Sequence, residues 1–431
     1  MKLSNLSQAL LASAAMVFIP QVAVDAATQG YGDSSPPTFA WSTSGCSQGH
    51  NYCGTLTFCL DGSTYGYRMS EDSTCYSPGP LIRLIAGNTY ELILANDSNT
   101  GVPTNVHTHG LHISGDAPSD DVRIVVPPGE SHAYTWDLDV NHPGGTNWYH
   151  SHKHEYSEEQ VKNGALGLLI VEDNANDFSG SAPAWASNEL NLQLIKQPSG
   201  GAHTANGKSA ETFNIDPNKW SRLRLSYANY RGSGTDIIFE ENVFQGSDCD
   251  IRKIANDGVW ASTPGDSANS FFLSGSSRAD FAVRCNSPGD VINVKIGRKV
   301  FATITSSGQG STEVLLESTY TIVRPPALSG LEGSVPSSNQ KDVGMSGGNI
   351  NVDGSSFTWD PTSPVATIPL NEVQEWTISG SSAHPFHLHL YRKFRLFVYI
   401  CNLQIYFSAI IISSLHSVLP CIYLIYFRRQ I

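Results

Sequence analysis

Short runs of apolar and β-branched residues, each ended by glycine, proline, asparagine, aspartate or serine, recur along most of the chain. Long stretches with helical periodicity are scarce, so this pattern predicts an all-β protein built from sandwiches or barrels. The runs fall into two blocks, residues 53–173 and 188–322, and a shorter one, residues 345–394. Segments rich in serine, glycine and proline separate the blocks, so we predict three β domains, the third of them truncated.

Within these blocks we predict individual strands from the apolar runs and the turn signals between them. The predicted strands are residues 56–60, 81–85, 90–95, 121–126, 132–138, 164–171, 190–195, 223–227, 237–239, 281–284, 291–296, 299–305, 349–352, 366–368 and 373–378.

The N-terminus has the composition of a secretory signal peptide. A basic start at Lys2 precedes a mostly apolar stretch over residues 9–24, and cleavage after Ala26 would leave residues 27–52 as a loose segment. Pro20 and Gln21 make the alternative, a membrane anchor, less favourable. We therefore predict a secreted protein, in which Asn96 heads a short glycosylation sequon.

The C-terminal tail, residues 395–431, changes character: residues 396–427 contain no charged residue and no glycine. Three interpretations remain: a translated intron or shifted frame, which we rank first, a membrane span, and a buried β-core. The run exceeds the ~20 residues that a span needs, so a membrane-anchored protein is the alternative localisation.

Charge and cysteines narrow the class. With 39 acidic and 26 basic side chains the formal net charge is −13, which argues against nucleic acid and anionic membrane surfaces as partners. Cys46, Cys53, Cys59 and Cys75 cluster, and their spacing predicts disulfides rather than a zinc site, although it leaves three pairings open. Cys249 and Cys285 form a plausible separate pair.

Histidines concentrate between residues 105 and 154. The pairs His107/His109 and His150/His152 each have one residue between their members, and a strand directs such side chains to one face. Imidazole is a common ligand of copper and zinc, so two pairs in one domain predict a shared metal cluster. His384, His387 and His389 form a third group, in which His384 either serves a second centre or caps a turn.

These motifs resemble those of the multicopper oxidases, the family of laccases, ascorbate oxidase and bacterial copper oxidases. His107-Thr-His-Gly110 is similar to the family's first copper motif, His150-Ser-His152 to its second and His384-Pro-Phe-His-Leu-His389 to its third. In the second block, Asp257-Gly-Val-Trp260 and the segment from Gly275 to Phe281 also fit. The resemblance covers about residues 50 to 394.

The resemblance implies tandem cupredoxin domains, which are Greek-key β-sandwiches, and one-electron oxidation of phenols, amines or metal ions coupled to reduction of dioxygen to water. It assigns His107 and His387 to a type 2 copper, and His384 to a type 1 copper. The type 3 pair would take His109, His150, His152 and His389. A carboxylate eleven residues after His109 assists proton delivery in some members, and Asp120 stands there; a plain turn residue beside Asp121 is the alternative.

The family's fourth motif, His-Cys-His followed by a further His, is not found after His389: Cys401 and Cys421 have no flanking histidines. We therefore expect an incomplete type 1 site, an incomplete type 3 pair and an open strand edge after residue 394. A copper-binding cupredoxin protein without oxidase activity is the alternative function.

Overall fold

The computed structural model describes residues 37–70, 72–174, 177–179, 182–196, 204–229, 234–242, 248–308, 310, 322–323, 336–346, 349–356, 373–380, 395–400, 403–407 and 422–428. Strands dominate these ranges, and Ser157–Lys162 (α1) is the one α-helix in them. The predicted all-β class is therefore confirmed.

The first domain is a sandwich of two four-stranded sheets. Its strands are Tyr52–Asp61 (β1), Thr64–Met69 (β2), Ile82–Leu84 (β3), Thr89–Asn96 (β4), His107–His109 (β5), Ser131–Asp137 (β6), Gly145–His150 (β7) and Leu166–Val171 (β8). One sheet has the order β2-β1-β4-β6 and the other the order β3-β8-β7-β5. Buried side chains of both sheets, among them Phe58, Leu92, Trp136 and Leu169, form one core. The buried strand β7 lies between β5 and β8.

The strand predicted over residues 121–126 is wrong, because local side chains bond the backbone groups that a strand would use. The Asp121 carboxylate accepts a hydrogen bond from the Arg123 backbone N–H at 2.9 Å. The Asn105 side chain donates to the carbonyl oxygens of Val122 and Ile124. Such side-chain contacts stabilise turns, and here they override the alternating pattern.

The second domain contains two further sheets. Its strands are Glu189–Lys196 (β9), Thr204–Ala205 (β10), Glu211–Ile215 (β11), Ser221–Asn229 (β12), Thr235–Glu241 (β13), Cys249–Asn256 (β14), Val259–Trp260 (β15), Ser270–Leu273 (β16), Ser277–Cys285 (β17), Val291–Ile296 (β18) and Lys299–Ser306 (β19). The sheets have the orders β10-β9-β12-β17-β14-β15 and β11-β19-β18-β13-β16. Leu225, Phe281 and Val294 are part of the core that they share.

Buried charges join the first two domains. Glu189 accepts from Arg224 and forms an ion pair with Arg83 of β3, while Arg222 pairs with Asp280 and with Asp173 of the first domain. Burial alone would raise the pKa of Glu189, but the three arginines Arg224, Arg83 and Arg222 lower it to about 2. The carboxylate is therefore ionised at neutral pH, as a buried acid must be paired to remain charged.

The third domain contributes a seven-stranded sheet. Its strands are Gln340–Ser346 (β20), Asn349–Val352 (β21), Ser355–Ser356 (β22), Val373–Gly380 (β23), Arg395–Ile400 (β24), Leu403–Phe407 (β25) and Ile422–Arg428 (β26), in the order β22-β21-β20-β23-β26-β24-β25. The expected open edge after residue 394 is wrong, because β26 pairs with β23 along its length. In the described part of the chain, no helix has the length and apolarity needed to cross a membrane. The interpretations of residues 395–431 as a mistranslated segment or a span stay predictions.

The six cysteines in the described part of the chain form the disulfides Cys46–Cys53, Cys59–Cys75 and Cys249–Cys285. These bonds select one of the three pairings that the sequence left open, and they remove the zinc alternative because a bonded thiol is no ligand. Glycosylation at Asn96 is contradicted in the folded chain, because Asn96 is buried. Its amide nitrogen donates to the carbonyls of Val102 and Val126, and its oxygen accepts from Thr100.

Candidate metal centre

Strands β5 and β7 place the two predicted histidine pairs beside each other. The strands are antiparallel, with His107 opposite His150 and His109 opposite Trp148. The ring centroid of His107 lies 5.3 Å from that of His150 and 5.2 Å from that of His152. His109 lies 5.8 Å from His150. Four imidazoles, from two pairs that are about forty residues apart in the sequence, thus form one cluster.

Three of these residues can direct ligand atoms at a single point. Ring nitrogens of His107, His109 and His150 all lie within 4.8 Å of one another, and all three residues are buried. A neutral imidazole nitrogen in a protected, dry site is a good ligand for copper or zinc. The prediction that the first motif and the second motif converge is confirmed by this geometry.

The fourth histidine, His152, is not held by a strand. Strand β7 ends at His150, so the same-face argument used for the pair does not apply to it. Instead, the His152 backbone N–H donates to the Asn105 side-chain oxygen at 2.7 Å. The Asn105 amide nitrogen also donates to the Val122 carbonyl. This one side chain, just before His107 in the sequence, therefore connects the His152 loop to the segment after Asp121.

Asp120 lies directly behind His107. Its carboxylate accepts from the His107 Nδ1 at 3.0 Å, from the Thr108 backbone N–H at 3.0 Å and from the Thr108 hydroxyl at 2.9 Å. Both members of the pair are buried, with Asp120 only 1% exposed. The carboxylate fixes the orientation of the ring. Because an ionised carboxylate only accepts, Nδ1 carries the hydrogen and Nε2 is the ring nitrogen that can bind a metal.

The same assignment follows for His150. Its Nδ1 lies 2.9 Å from the Ser151 carbonyl oxygen. A carbonyl oxygen only accepts, so Nδ1 carries the hydrogen and Nε2 carries the lone pair. Trp148 stacks on the His150 ring at a centroid distance of 4.2 Å and also contacts His109 at 5.0 Å. Stacking limits rotation of both rings.

The electrostatics favour neutral imidazoles. Burial, together with the nearby charge of His152, holds the pKa of His107 well below its usual range. Burial also lowers the pKa of His152. Neutral rings at physiological pH offer lone pairs to a metal without first losing a proton.

Helix α1 supports the loop that carries His152. Its Gln160 is fully buried; the side-chain oxygen accepts from the hydroxyls of Thr104 and Ser151, and the nitrogen donates to the Pro103 carbonyl at 2.9 Å. Sequence reasoning missed Gln160 and the role of Asn105, because neither residue type indicates a metal site. Their positions beside the histidine motifs were the available signal.

Outside the cluster lie His112 and His154, two of the four other histidines between residues 105 and 154. Strand β5 ends at His109, and Gly110 has a φ of +121°, so the chain turns and His112 does not share the strand face of His107 and His109. The His112 backbone N–H instead donates to His142 Nε2 at 2.9 Å. His154 is exposed beyond the end of β7. The predicted ligands His384, His387 and His389 lie outside the described residues.

The residues present fit copper. The donor set consists of imidazoles, which suit copper, zinc, iron and nickel, and the ring orientations are fixed by Asp120, the Ser151 carbonyl and Trp148. The described cysteines are bonded in disulfides, so the donor set of this domain contains no thiolate of a zinc finger.

Comparisons with known proteins agree with the site. Sequence profiles described as "Multicopper oxidase" match residues 75–176 and residues 332–396. The chain is 25% identical over 338 residues to the multicopper oxidase mco of Staphylococcus haemolyticus, which spans 72% of this chain and 67% of the relative. It is 22% identical over 347 residues to the bilirubin oxidase of Albifimbria verrucaria, spanning 73% of this chain and 59% of that protein.

Solved structures show the same fold. The structure is similar to that of a multi-copper oxidase from Pediococcus acidilactici, with a TM-score of 0.68, 17% identity, and coverage of 92% of this chain and 85% of the other. The predicted tandem cupredoxin-like architecture is confirmed by this likeness. Profiles, relatives and fold all agree with the clustered imidazoles, and together they support a copper-dependent oxidoreductase of the multicopper oxidase type, with dioxygen as electron acceptor.

Proposed function

We propose that the histidine cluster of the first domain is its share of a trinuclear copper site. In this proposal His107 and His387 hold the type 2 copper, and the type 3 pair takes His109, His150, His152 and His389. The observation that carries the proposal is the convergence of His107, His109 and His150 within 4.8 Å, together with the matching profile over residues 75–176. His384 is proposed for the type 1 copper.

The reaction we propose is one-electron oxidation of a phenol, an amine or a metal ion, coupled to reduction of dioxygen to water. Bound copper supplies the electron transfer and the binding of dioxygen. The chain's own residues hold the ligand atoms in place: Asp120 orients His107, and the Ser151 carbonyl orients His150. Asp120, buried beside the cluster, is the residue proposed to deliver protons.

Within residues 1–431 no His-Cys-His segment follows His389. We therefore propose that this chain supplies His384 as a type 1 ligand without the family's thiolate and second histidine, and that its type 3 pair is also incomplete. The type 2 and type 3 positions of the first domain do not depend on the absent motif.

We also propose secretion as the localisation. The predicted signal peptide over residues 1–26 supports it, and so do the three disulfides, because such bonds persist in oxidising compartments. A membrane attachment through residues 396–427 remains the alternative.

The test measures bound copper, the intense blue absorption of type 1 copper and dioxygen consumption with a phenolic substrate in the purified chain. The variant His152→Ala removes one cluster ligand, and His154→Ala is its matched control because His154 is exposed two residues further on. We expect His152→Ala to lose copper and His154→Ala to keep it. Equal copper content in both variants contradicts the proposed site.

Dioxygen consumption separates the two functions. Copper bound through the cluster without dioxygen consumption supports the alternative, a copper-binding cupredoxin protein without oxidase activity. A strong blue band contradicts the incomplete type 1 site, because that absorption arises from a copper–thiolate bond.

A further inference from the structure

A turn of the second domain lies unusually close to the strand that carries His150. The turn comprises Asp257 and Gly258, between β14 and β15. A β-carbon placed on Gly145 of β7 would lie 2.1 Å from the Gly258 carbonyl oxygen, and one placed on Gly258 would lie 3.2 Å from the Thr146 carbonyl oxygen. Because real β-carbons essentially never lie under 3.0 Å from another heavy atom, glycine at position 145 is what allows the two backbones to touch.

Arg278 of β17 bonds this turn to β7. Its Nε donates to the Thr146 carbonyl at 3.3 Å, and its Nη2 donates to the Asp257 carbonyl at 3.2 Å. The guanidinium also forms an ion pair of 3.2 Å with the Asp257 carboxylate, which accepts the Arg278 backbone N–H at 3.0 Å. We call Arg278 and Asp257 together the clasp.

The clasp also reaches the other copper-ligand strand. A β-carbon on Gly110, the residue after His109, would lie 2.8 Å from Arg278 Nη2. Thr146 lies on the same strand as His150, about 13 Å along it at ~3.3 Å per residue. One guanidinium therefore lies against the end of β5 and bonds the backbone of β7.

The clasp is buried at a considerable cost. Arg278 is 3% exposed and Asp257 is 8% exposed. Burial lowers the pKa of Arg278 and raises that of Asp257, which shows that each charge is poorly solvated. Buried ion pairs seldom stabilise a fold more than apolar residues of similar volume would, so a geometric role explains this pair better than a stabilising one.

We propose that the clasp is a positioning element for the copper ligands of the first domain, so that the second domain, which contributes no ligand motif of its own, sets the relative placement of His109 and His150. The inference rests on the proposed copper site. Ligand atoms must be held within ~0.5 Å of their productive positions, and a rigid guanidinium fork that bonds β7 and lies beside Gly110, the residue after β5, is suited to this task.

The test titrates the purified full chain with Cu(II) and records both the affinity and the electron paramagnetic resonance spectrum. Arg278→Gln removes the fork and its charge, and Arg278→Lys keeps the charge with a single donor group. The matched control is Arg222→Gln, another buried arginine at the same domain boundary, which bonds Asp280 and Asp173 instead of the β7 backbone.

We expect Arg278→Gln to weaken Cu(II) binding roughly 10-fold and to change the copper hyperfine pattern, since supporting contacts of ligands have effects of about this size. Arg278→Lys should recover part of the affinity. Arg222→Gln should lower the thermal midpoint but leave affinity and spectrum as in the wild type. If the Arg278 and Arg222 variants change copper binding alike, the clasp is merely structural and the proposal is overturned.

A second measurement needs no variant. Coupling is reciprocal, so copper binding must slow hydrogen exchange of the Arg278 and Asp257 amides, whose N–H groups bond within the clasp. Strand β18, at a different sheet of the second domain, should show no change. Absence of protection in a copper-loaded chain overturns the clasp alone, whereas a wild type that binds no Cu(II) overturns the copper site as well.

Discussion

The Nδ1 atom of His107 lies 3.0 Å from the carboxylate of Asp120, in a pair that is almost entirely buried. The same carboxylate accepts two hydrogen bonds from Thr108, the residue between the two ligands of strand β5. Asp120 therefore holds the strand and the ring together. This arrangement explains why an acidic residue lies at this buried position, and it makes Asp120 the first target for substitution.

We expect Asp120→Asn to lower copper affinity roughly 10-fold, because the ring of His107 loses a charged partner that fixes its orientation. The dioxygen reduction rate of copper-loaded protein should fall as well if Asp120 delivers protons. Equilibrium dialysis and oxygen-electrode traces measure the two effects separately. Asp121→Asn is the control, because that carboxylate bonds Arg123 instead. If both variants changed copper affinity and the dioxygen reduction rate to the same extent, Asp120 would have only the role of a turn residue.

A second prediction concerns Glu189 and pH. Its folded pKa of about 2 lies below the ordinary value of 4.5, so it stabilises the fold above pH 4.5, and this contribution is lost as pH falls toward 2. The difference corresponds to about 3 kcal/mol at roughly 1.4 kcal/mol per pKa unit. We expect Glu189→Gln to lower the free energy of unfolding by about this amount at pH 7.

Urea denaturation between neutral pH and the acid range measures this effect. The gap between wild type and Glu189→Gln should narrow as pH falls below 4.5. Glu172→Gln, which also removes a partner of Arg83 but at a half-buried position, should have a much smaller effect. A gap that stays constant with pH would contradict the ionised, buried carboxylate.

A third prediction concerns glycosylation of Asn96, which lies in a sequon but is buried in the fold. We expect no glycan on Asn96 of protein secreted from a eukaryotic host, because its amide is buried and bonded to Val102 and Val126. Mass spectrometry of the intact chain should therefore show that wild type and Ser98→Ala, which destroys the sequon, differ only by the oxygen atom that the substitution removes. Asn96→Ala should cost about 3 kcal/mol of stability, since two carbonyls and the Thr100 hydroxyl lose their partner. A glycan on Asn96 would show that this segment stays open during secretion.

The sequence predicted most strands and the histidine cluster because these depend on local patterns. Alternation along β5 places His107 and His109 on one face whatever surrounds them. The strand predicted at residues 121–126 does not form, because the side chain of Asn105, which is distant in sequence, donates hydrogen bonds to carbonyl groups of this segment. His152 illustrates the same limit: its position is set by hydrogen bonds from Asn105, and no periodicity reports such a contact.

The contribution of the second domain could not be predicted from its composition. The segments around Asp257 and Arg278 resembled the family, but their function depends on a close approach between Gly145 and Gly258 that exists only after the domains pack. Nothing in the composition of the second domain therefore indicated a contribution to the metal site. The buried Arg278 bonds the Thr146 carbonyl across this boundary, and this contact is the basis of the proposed positioning role.

Strand β5 contains only three residues, His107–His109, and pairs with β7 over those three alone. So short a strand contributes little cooperative stability, and its pairing closes a loop of about forty residues, which carries an entropic cost. Copper bound at the proposed site would favour the folded state and so offset that cost. Copper supply is therefore expected to govern how long this segment resists proteases, and a chain without metal should be cut first between Gly110 and Asp121.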